Sequence, residues 1–309
     1  MKKIYQIQKD HVDLATKMPK KFWIDLVDPT EEEIQSVCQD LLIKKNDLLK
    51  ALDKSEIPHI EFRDNFSLFI YSIPYMINNA GHKKYRSYPL GVFFFQEGIL
   101  TVSLMEHPIK EKIQNSLITD AIFQKPDIFS IYLIGTSVEY YITYLNEIQE
   151  DILQREKRML KSPSNKDIET MLAFQKSLLY FTTSLQGNQV LIEKIEMYDK
   201  IGPEELDTIK EVKIELHQAL EMARTYREIL ENTISTYSSI ISNNLNGTMK
   251  FLTSVTLIIS IPTMISSFLG MNVFLGDFGT NPFSFLLVVL CCITITLILV
   301  LILKKKNLL

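Results

Sequence analysis

Several common features are scarce in this chain. It holds three cysteines, Cys38, Cys291 and Cys292, and none has a partner at metal-ligand spacing. That count excludes a disulfide framework and points away from an oxidising compartment. Its ten glycines are dispersed, so no glycine-rich loop is present to cradle a phosphate, and no nucleotide site is expected. His59, His82 and His107 have no second histidine or cysteine two, three or four residues on, which leaves them as ordinary surface or partly buried side chains. No Ser, His and Asp arrangement announces a nucleophile; the chain reads as a non-enzyme without an organic cofactor. Excess positive charge is also lacking: 33 Lys and Arg face 37 Asp and Glu, for a net charge of −4, with the basic residues scattered among acidic ones. Nucleic acid is therefore excluded as a partner. The start, Met1-Lys2-Lys3-Ile4-Tyr5, lacks the apolar core of a signal peptide, so the polar bulk of the chain is expected in the cytosol.

Charge is absent over two long stretches near the end. Between Phe251 and Met271 there is none, and Asp277 is the only charged residue from there to Lys304. At about 1.5 Å of rise per residue, each stretch is long enough to cross a hydrocarbon core of roughly 30 Å. Lys250 precedes the first and Lys304, Lys305 and Lys306 follow the second. The positive-inside rule then predicts a multi-pass protein of the cell membrane, with both termini cytoplasmic and the 273–282 loop outside.

Before the spans, the pattern divides in two. Lys21 to Val27 reads as a strand, followed by Asp28 as N-cap, Pro29 at the first helical position and Glu31, Glu32 and Glu33 in the first turn. A helix over Lys45 to Asp53 follows. Strands are predicted at His59–Arg63, Phe66–Ile73, Leu90–Phe95 and Ile99–Leu104, separated by turns, as an antiparallel meander with helices on one face. From about Asp127 the pattern is helical, broken only at Ser162-Pro163-Ser164-Asn165 and Ile201-Gly202-Pro203. Two long antiparallel helices are expected, then one helix from about Glu204 to Leu269, roughly 100 Å long. Its apolar seam, Leu216, Leu220, Ala223, Leu230, Ile234, Tyr237 and Ile241, follows steps of three and four, with Arg227 in the gap. The fold class is thus an α+β membrane protein: a cytoplasmic α/β regulatory domain (1–126), a long helical stalk (127–249) and a two-helix transmembrane domain (250–309).

The first span is not uniformly apolar. Thr253, Thr256, Ser260, Thr263 and Ser267 recur at steps of three, four, three and four, and Asn246 and Met249 extend that face towards the cytosol. Small polar residues can simply join helices in a membrane. A row running the full depth of the bilayer fits a water-filled lining better. One helix encloses no water, so such a lining requires several copies around an axis.

The residues that end this row carry a resemblance. Gly270-Met271-Asn272 lies at the outer end of the first of two C-terminal spans, preceded by Pro262-Thr263 and Asn246-Gly247-Thr248-Met249-Lys250. With Trp23-Ile24-Asp25-Leu26 and Pro29-Thr30-Glu31-Glu32 near the start, the chain resembles the CorA family of divalent-metal transporters. The resemblance implies a homopentameric Mg²⁺ channel in which Gly270, Met271 and Asn272 form the selectivity mouth and Asn246, Met249, Leu252, Ser260 and Thr263 face the pore. Thr256 and Ser267 join them from periodicity. Three departures stand out: Ser260 replaces a bulkier apolar residue, Leu269 replaces an aromatic one, and the loop after the motif offers Asp277 in place of a glutamate.

Mg²⁺ dehydrates reluctantly, so a neutral ring of Asn272 amide oxygens and hydroxyls suits its hydration shell. Control is expected from Glu204, Asp207, Glu211 and their acidic neighbours, bridged between subunits by regulatory Mg²⁺. Transport of Zn²⁺, Co²⁺ or Ni²⁺ on the same architecture, or a membrane-anchored scaffold, are the alternatives.

Overall fold

The computed structural model describes the chain except residues 8–11, 80–81, 113, 115–124, 160–163, 198–202, 272–277, 279–282, 307 and 309. It forms two compact units, Met1–Ile234 and Ser235–Leu309.

The first unit is built on a seven-stranded mixed sheet: β1 (Lys2–Ile7), β2 (Val12–Leu14), β3 (Phe22–Val27), β4 (His59–Phe62), β5 (Ser67–Asn79), β6 (His82–Phe94) and β7 (Gly98–Ser103), in the order β2-β1-β3-β7-β6-β5-β4. The meander from β4 to β7 is antiparallel as expected, and β3 joins it by pairing parallel to β7. Two strands run longer than the sequence pattern predicted. β5 and β6 continue together from Tyr71↔Leu90 to Asn79↔His82, past the registers of β4 and β7, which end at Ile70 and Leu90. Pro74 and Pro89 lie in this two-stranded extension, where a missing N–H breaks no ladder to a third strand.

Helices cover both faces of the sheet, not one. On the first lie α1 (Glu31–Leu41) and α2 (Lys45–Lys50), whose Ile34, Val37 and Leu48 pack into a core with Ile24, Leu26, Leu68, Ile70, Leu100 and Val102. A Cβ on Gly91 would stand 2.4 Å from the Ala51 Cβ, so the end of α2 sits directly on β6. The cap of α1 differs from expectation. Thr30 is the N-cap, with a full capping box to Glu33, while Asp28 turns the chain at φ 42°, a left-handed conformation that Asp tolerates. Burial pushes the Glu33 carboxyl up, but hydrogen bonds from the amino terminus and from the Thr30 and Lys2 N–H groups outweigh it and leave it below the usual range.

After the short α3 (Lys110–Lys112), the second face is covered by α4 (Pro126–Met159) and α5 (Asn165–Glu196), an antiparallel pair held at its tip by Arg155 and Asp167, 3.0 Å apart. Asn188 of α5, fully buried, accepts from the Ser72 N–H at 3.0 Å and donates to the Ser72 carbonyl at 2.8 Å. Its amide takes the place of a strand just where β4 has stopped. Tyr141 of α4 donates to the same carbonyl.

α6 runs from Pro203 to Leu269, 67 residues, so the predicted long helix is one element. Its seam residues Leu216, Leu220, Ala223 and Leu230 are buried, and Ile241 is exposed. The helix lies along its own α4 and α5: Tyr226 donates to Gln149 at 2.8 Å and Lys213 pairs with Glu196 at 2.7 Å.

The second unit contains the apolar end of α6 and α7 (Phe283–Lys305). Both are long and apolar enough to cross a membrane. An apolar groove of about 740 Å³ lies between them, lined by Pro262, Leu269, Phe285, Val289 and Cys292 among others.

Candidate functional site

Among the described residues nothing covers the face of α6 predicted to line a pore, and other faces of the same span are exposed as well, Leu257 and Ile259 among them. Asn246, Met249, Leu252, Thr256, Ser260, Thr263 and Ser267 are all exposed. Pro262 interrupts the backbone bonding but not the helix; lacking an N–H, it cannot donate to the Ile258 carbonyl.

Four of the five hydroxyls in the row share one geometry. Thr253 donates to the Met249 carbonyl at 2.8 Å, Thr256 to Leu252 at 2.8 Å, Ser260 to Thr256 at 2.6 Å and Thr263 to Ile259 at 2.8 Å. A hydroxyl has one proton, and each of these is committed to the helix backbone. What remains to face outward is oxygen lone pairs. The row is therefore a row of acceptors, matched to a cation whose bound waters present their hydrogens.

α6 ends at Leu269, and the Gly270 N–H closes back on the Ser266 carbonyl at 3.1 Å. A Cβ on Gly270 would meet its nearest neighbours, the Ser266 and Ser267 carbonyls, at 3.6 Å, an ordinary contact. Contacts among the described residues do not demand glycine there. Met271 is 55% exposed beside it. Asn272 and Asp277, the other two residues predicted for the mouth and outer loop, lie outside the described residues.

Among the described residues no group of three or more His, Cys, Asp or Glu could hold an ion. Asp207 is exposed and pairs with Lys210 at 2.8 Å; Glu211 is exposed; the side chain of Glu204 lies outside the described residues.

One site went unread in the sequence. Asp25, in the middle of buried β3, is 1% exposed. It accepts from the Thr101 hydroxyl at 2.8 Å, which in turn accepts from the Trp23 indole at 3.0 Å, and it pairs with Lys110. The Trp-Ile-Asp-Leu segment thus holds a buried ion pair together. His107 lies in the same electrostatic neighbourhood, buried, with neither ring nitrogen hydrogen-bonded; burial pushes its pKa down to about 4, against a weaker upward pull from Asp25. A charged residue amid a strand of apolar ones was the available signal for Asp25. Nothing in the sequence marked His107.

A large α/β unit followed by two helices long and apolar enough to cross a membrane, the first bearing an exposed file of hydroxyl oxygens, fits the class of membrane proteins with a large polar domain. The model of the CorA-like Mg²⁺ transporter proteins matches residues 20–305, and the chain belongs to this family. It is 27% identical over 291 residues to the cobalt/magnesium transport protein CorA of Methanocaldococcus jannaschii, across 92% of this chain and 90% of that protein. It is 23% identical over 229 residues to the cobalt/magnesium transport protein CorA of Thermotoga maritima, across 72% of this chain and 64% of that protein. The solved complete CorA magnesium transporter from M. jannaschii superposes with a TM-score of 0.79 at 22% identity, covering 100% of this chain and 99% of that one. That likeness is one of fold.

Proposed function

We propose that the chain assembles as a homopentamer in the cell membrane and passes hydrated Mg²⁺ into the cytoplasm through a pore lined by α6. The observation that carries this reading is the exposed file of Thr256, Ser260 and Thr263, whose protons are committed to their own backbone. Five such files around an axis make a wet, neutral, acceptor-lined path that holds a hydrated divalent ion without stripping it. Gly270, Met271 and Asn272 form the outer mouth. Since packing within one chain leaves room for a Cβ at Gly270, its glycine serves a close approach between copies or to the hydrated ion. Leu252 and Met249 form an apolar constriction at the inner end.

Flux is passive. The membrane potential contributes about 2.3 kcal/mol per charge per 100 mV, twice that for a divalent ion. Lys250 and Lys304 to Lys306 keep both termini on the cytoplasmic side. In this reading the cytoplasmic portion comprises 1–126 and 127–249 and the pore 250–309. Cytoplasmic Mg²⁺ binds between neighbouring copies at Asp207, Glu211 and Glu204, displaces the Lys210 contact and holds the ring closed.

Ion uptake into liposomes by the full chain and by Asn272→Ala tests the proposal. Wild type is expected to admit Mg²⁺, with Asn272→Ala reduced at least about tenfold, a loss equivalent to about 1.4 kcal/mol. Uptake of Zn²⁺, Co²⁺ or Ni²⁺ but not Mg²⁺ assigns the pore to those metals, and no uptake of any divalent ion by either protein refutes the channel.

A further inference from the structure

From Leu245 to Met271, every described side chain of the first span is exposed or half-buried except one. Ser254 is 2% exposed. Its hydroxyl also behaves differently from its neighbours. Where Thr248, Thr253, Thr256, Ser260 and Thr263 each donate to the carbonyl four residues back, Ser254 donates to the Leu308 carbonyl at 2.7 Å, 54 residues away.

The acceptor is itself fixed. Past the end of α7, the Lys306 N–H returns to the Ile302 carbonyl at 3.1 Å and the Leu308 N–H to the Leu303 carbonyl at 3.0 Å. This closure folds the tail over the last turn and satisfies carbonyls that a helix end leaves open. Leu303, which that N–H reaches, is the one side chain buried in α7 among the described residues. Leu308 is therefore held through its N–H by the last turn of α7 and through its carbonyl by α6.

The position of the anchor on α6 gives it a role. At 3.6 residues per turn, Ser254 lies roughly 140° around the helix from the centre of the hydroxyl row. It grips α6 from behind, within about a turn and a half of Met249, Leu252 and Thr256 on the lining side. A helix held from the back by a single directional bond has its rotation set there, because a turn about its own axis breaks that bond.

We propose that the Ser254–Leu308 hydrogen bond is a strap by which the tail after α7 fixes the rotation of the inner half of α6 and so sets how far Met249 and Leu252 project into the ion path. Ser254 is a positioning residue for permeation. The proposal rests on the pore reading above.

Its test uses the full chain in lipid membranes, as wild type, Ser254→Ala, Ser254→Thr, a chain ended at Lys306, and the combination of Ser254→Ala with that ending. Two quantities are read: amide hydrogen exchange over residues 303–306, shared by all variants, and initial Mg²⁺ uptake. Loss of one net hydrogen bond predicts exchange roughly fivefold faster in Ser254→Ala. Uptake is expected to rise by about threefold or more in Ser254→Ala and in the shortened chain alike, to rise no further in the combination because both changes remove one interaction, and to stay at the wild-type rate in Ser254→Thr, which keeps the hydroxyl. Unchanged exchange in Ser254→Ala, unchanged uptake in that variant, or additive effects in the combination overturn the proposal. If wild type admits no divalent ion, the pore reading fails and the role in permeation fails with it, while the exchange data separately report whether the strap exists.

Discussion

The two compact units treat apolar side chains in opposite ways. In Met1–Ile234, Trp23, Leu68, Phe93 and Leu100 are completely buried, and polar groups drawn in with them, such as Asp25 and Asn188, have partners. In Ser235–Leu309 the most apolar windows are only 6% buried, and Leu252, Phe268, Phe285 and Leu297 are exposed. The first unit completes its core within one chain. The second leaves most of its described apolar surface uncovered within one chain, and in the proposed reading lipid and neighbouring copies cover it.

The comparison can be broken by matched substitutions, followed through urea unfolding of the full chain in detergent with the fluorescence of Trp23, its single tryptophan. The largest effect is expected from Asp25→Ala. It strands Lys110 beside a buried site, and removing one partner of a buried pair costs about 3–5 kcal/mol. Leu100→Ala in the same sheet is expected to cost about 2–5 kcal/mol. Leu252→Ala, at a site 57% exposed, is expected to stay within about 0.5 kcal/mol. Equal losses at Leu100 and Leu252 would abolish the distinction between the units.

Next comes His107. Its folded pKa, about 4, lies below the ordinary value of 6.5. Between those values the unfolded chain binds the proton and the folded chain does not, so stability is full above pH 6.5 and declines as pH falls towards 4. The window corresponds to about 3 kcal/mol as an upper bound. His107→Leu, of similar volume and with no hydrogen bond to lose, is expected to flatten that decline without lowering stability at pH 7. An acid limb unchanged in the variant would contradict this assignment.

The smallest effect on stability is expected at Gly270. Gly270→Ala should unfold within about 0.5 kcal/mol of wild type, because its Cβ has room, yet lose most Mg²⁺ uptake. Strong destabilisation would show that the glycine is needed for the fold and not for the mouth.

Much of this architecture was legible in the sequence. The spans, the long α6 and the β4–β7 meander follow from uncharged length, helix breakers and alternation, which are local signals. What escaped depended on contacts distant in the chain. Thr30 rather than Asp28 caps α1 because Asp28 is occupied in a turn against β7, where its N–H meets the Ser103 carbonyl. The second helical layer was missed because the α4 and α5 faces that meet the sheet are mixed in polarity, with Ser130, Tyr141 and Asn188 bonding to β5 and β6. In the candidate site, the hydroxyl row was visible as a period, but the commitment of each proton was not. Ser254 looked like any other small polar residue of the span, since its partner is 54 residues away.

The central claim is that the hydroxyl face of α6 meets water while its other faces do not. Thiol accessibility in membranes tests it most directly. With Cys38, Cys291 and Cys292 replaced, single cysteines are introduced at Thr256, Ser260, Thr263, Leu257 and Ile261, and each is exposed to a charged, membrane-impermeant thiol reagent. The account predicts modification at 256, 260 and 263 with 257 and 261 protected; equal protection at all five, or equal reaction at all five, would contradict it.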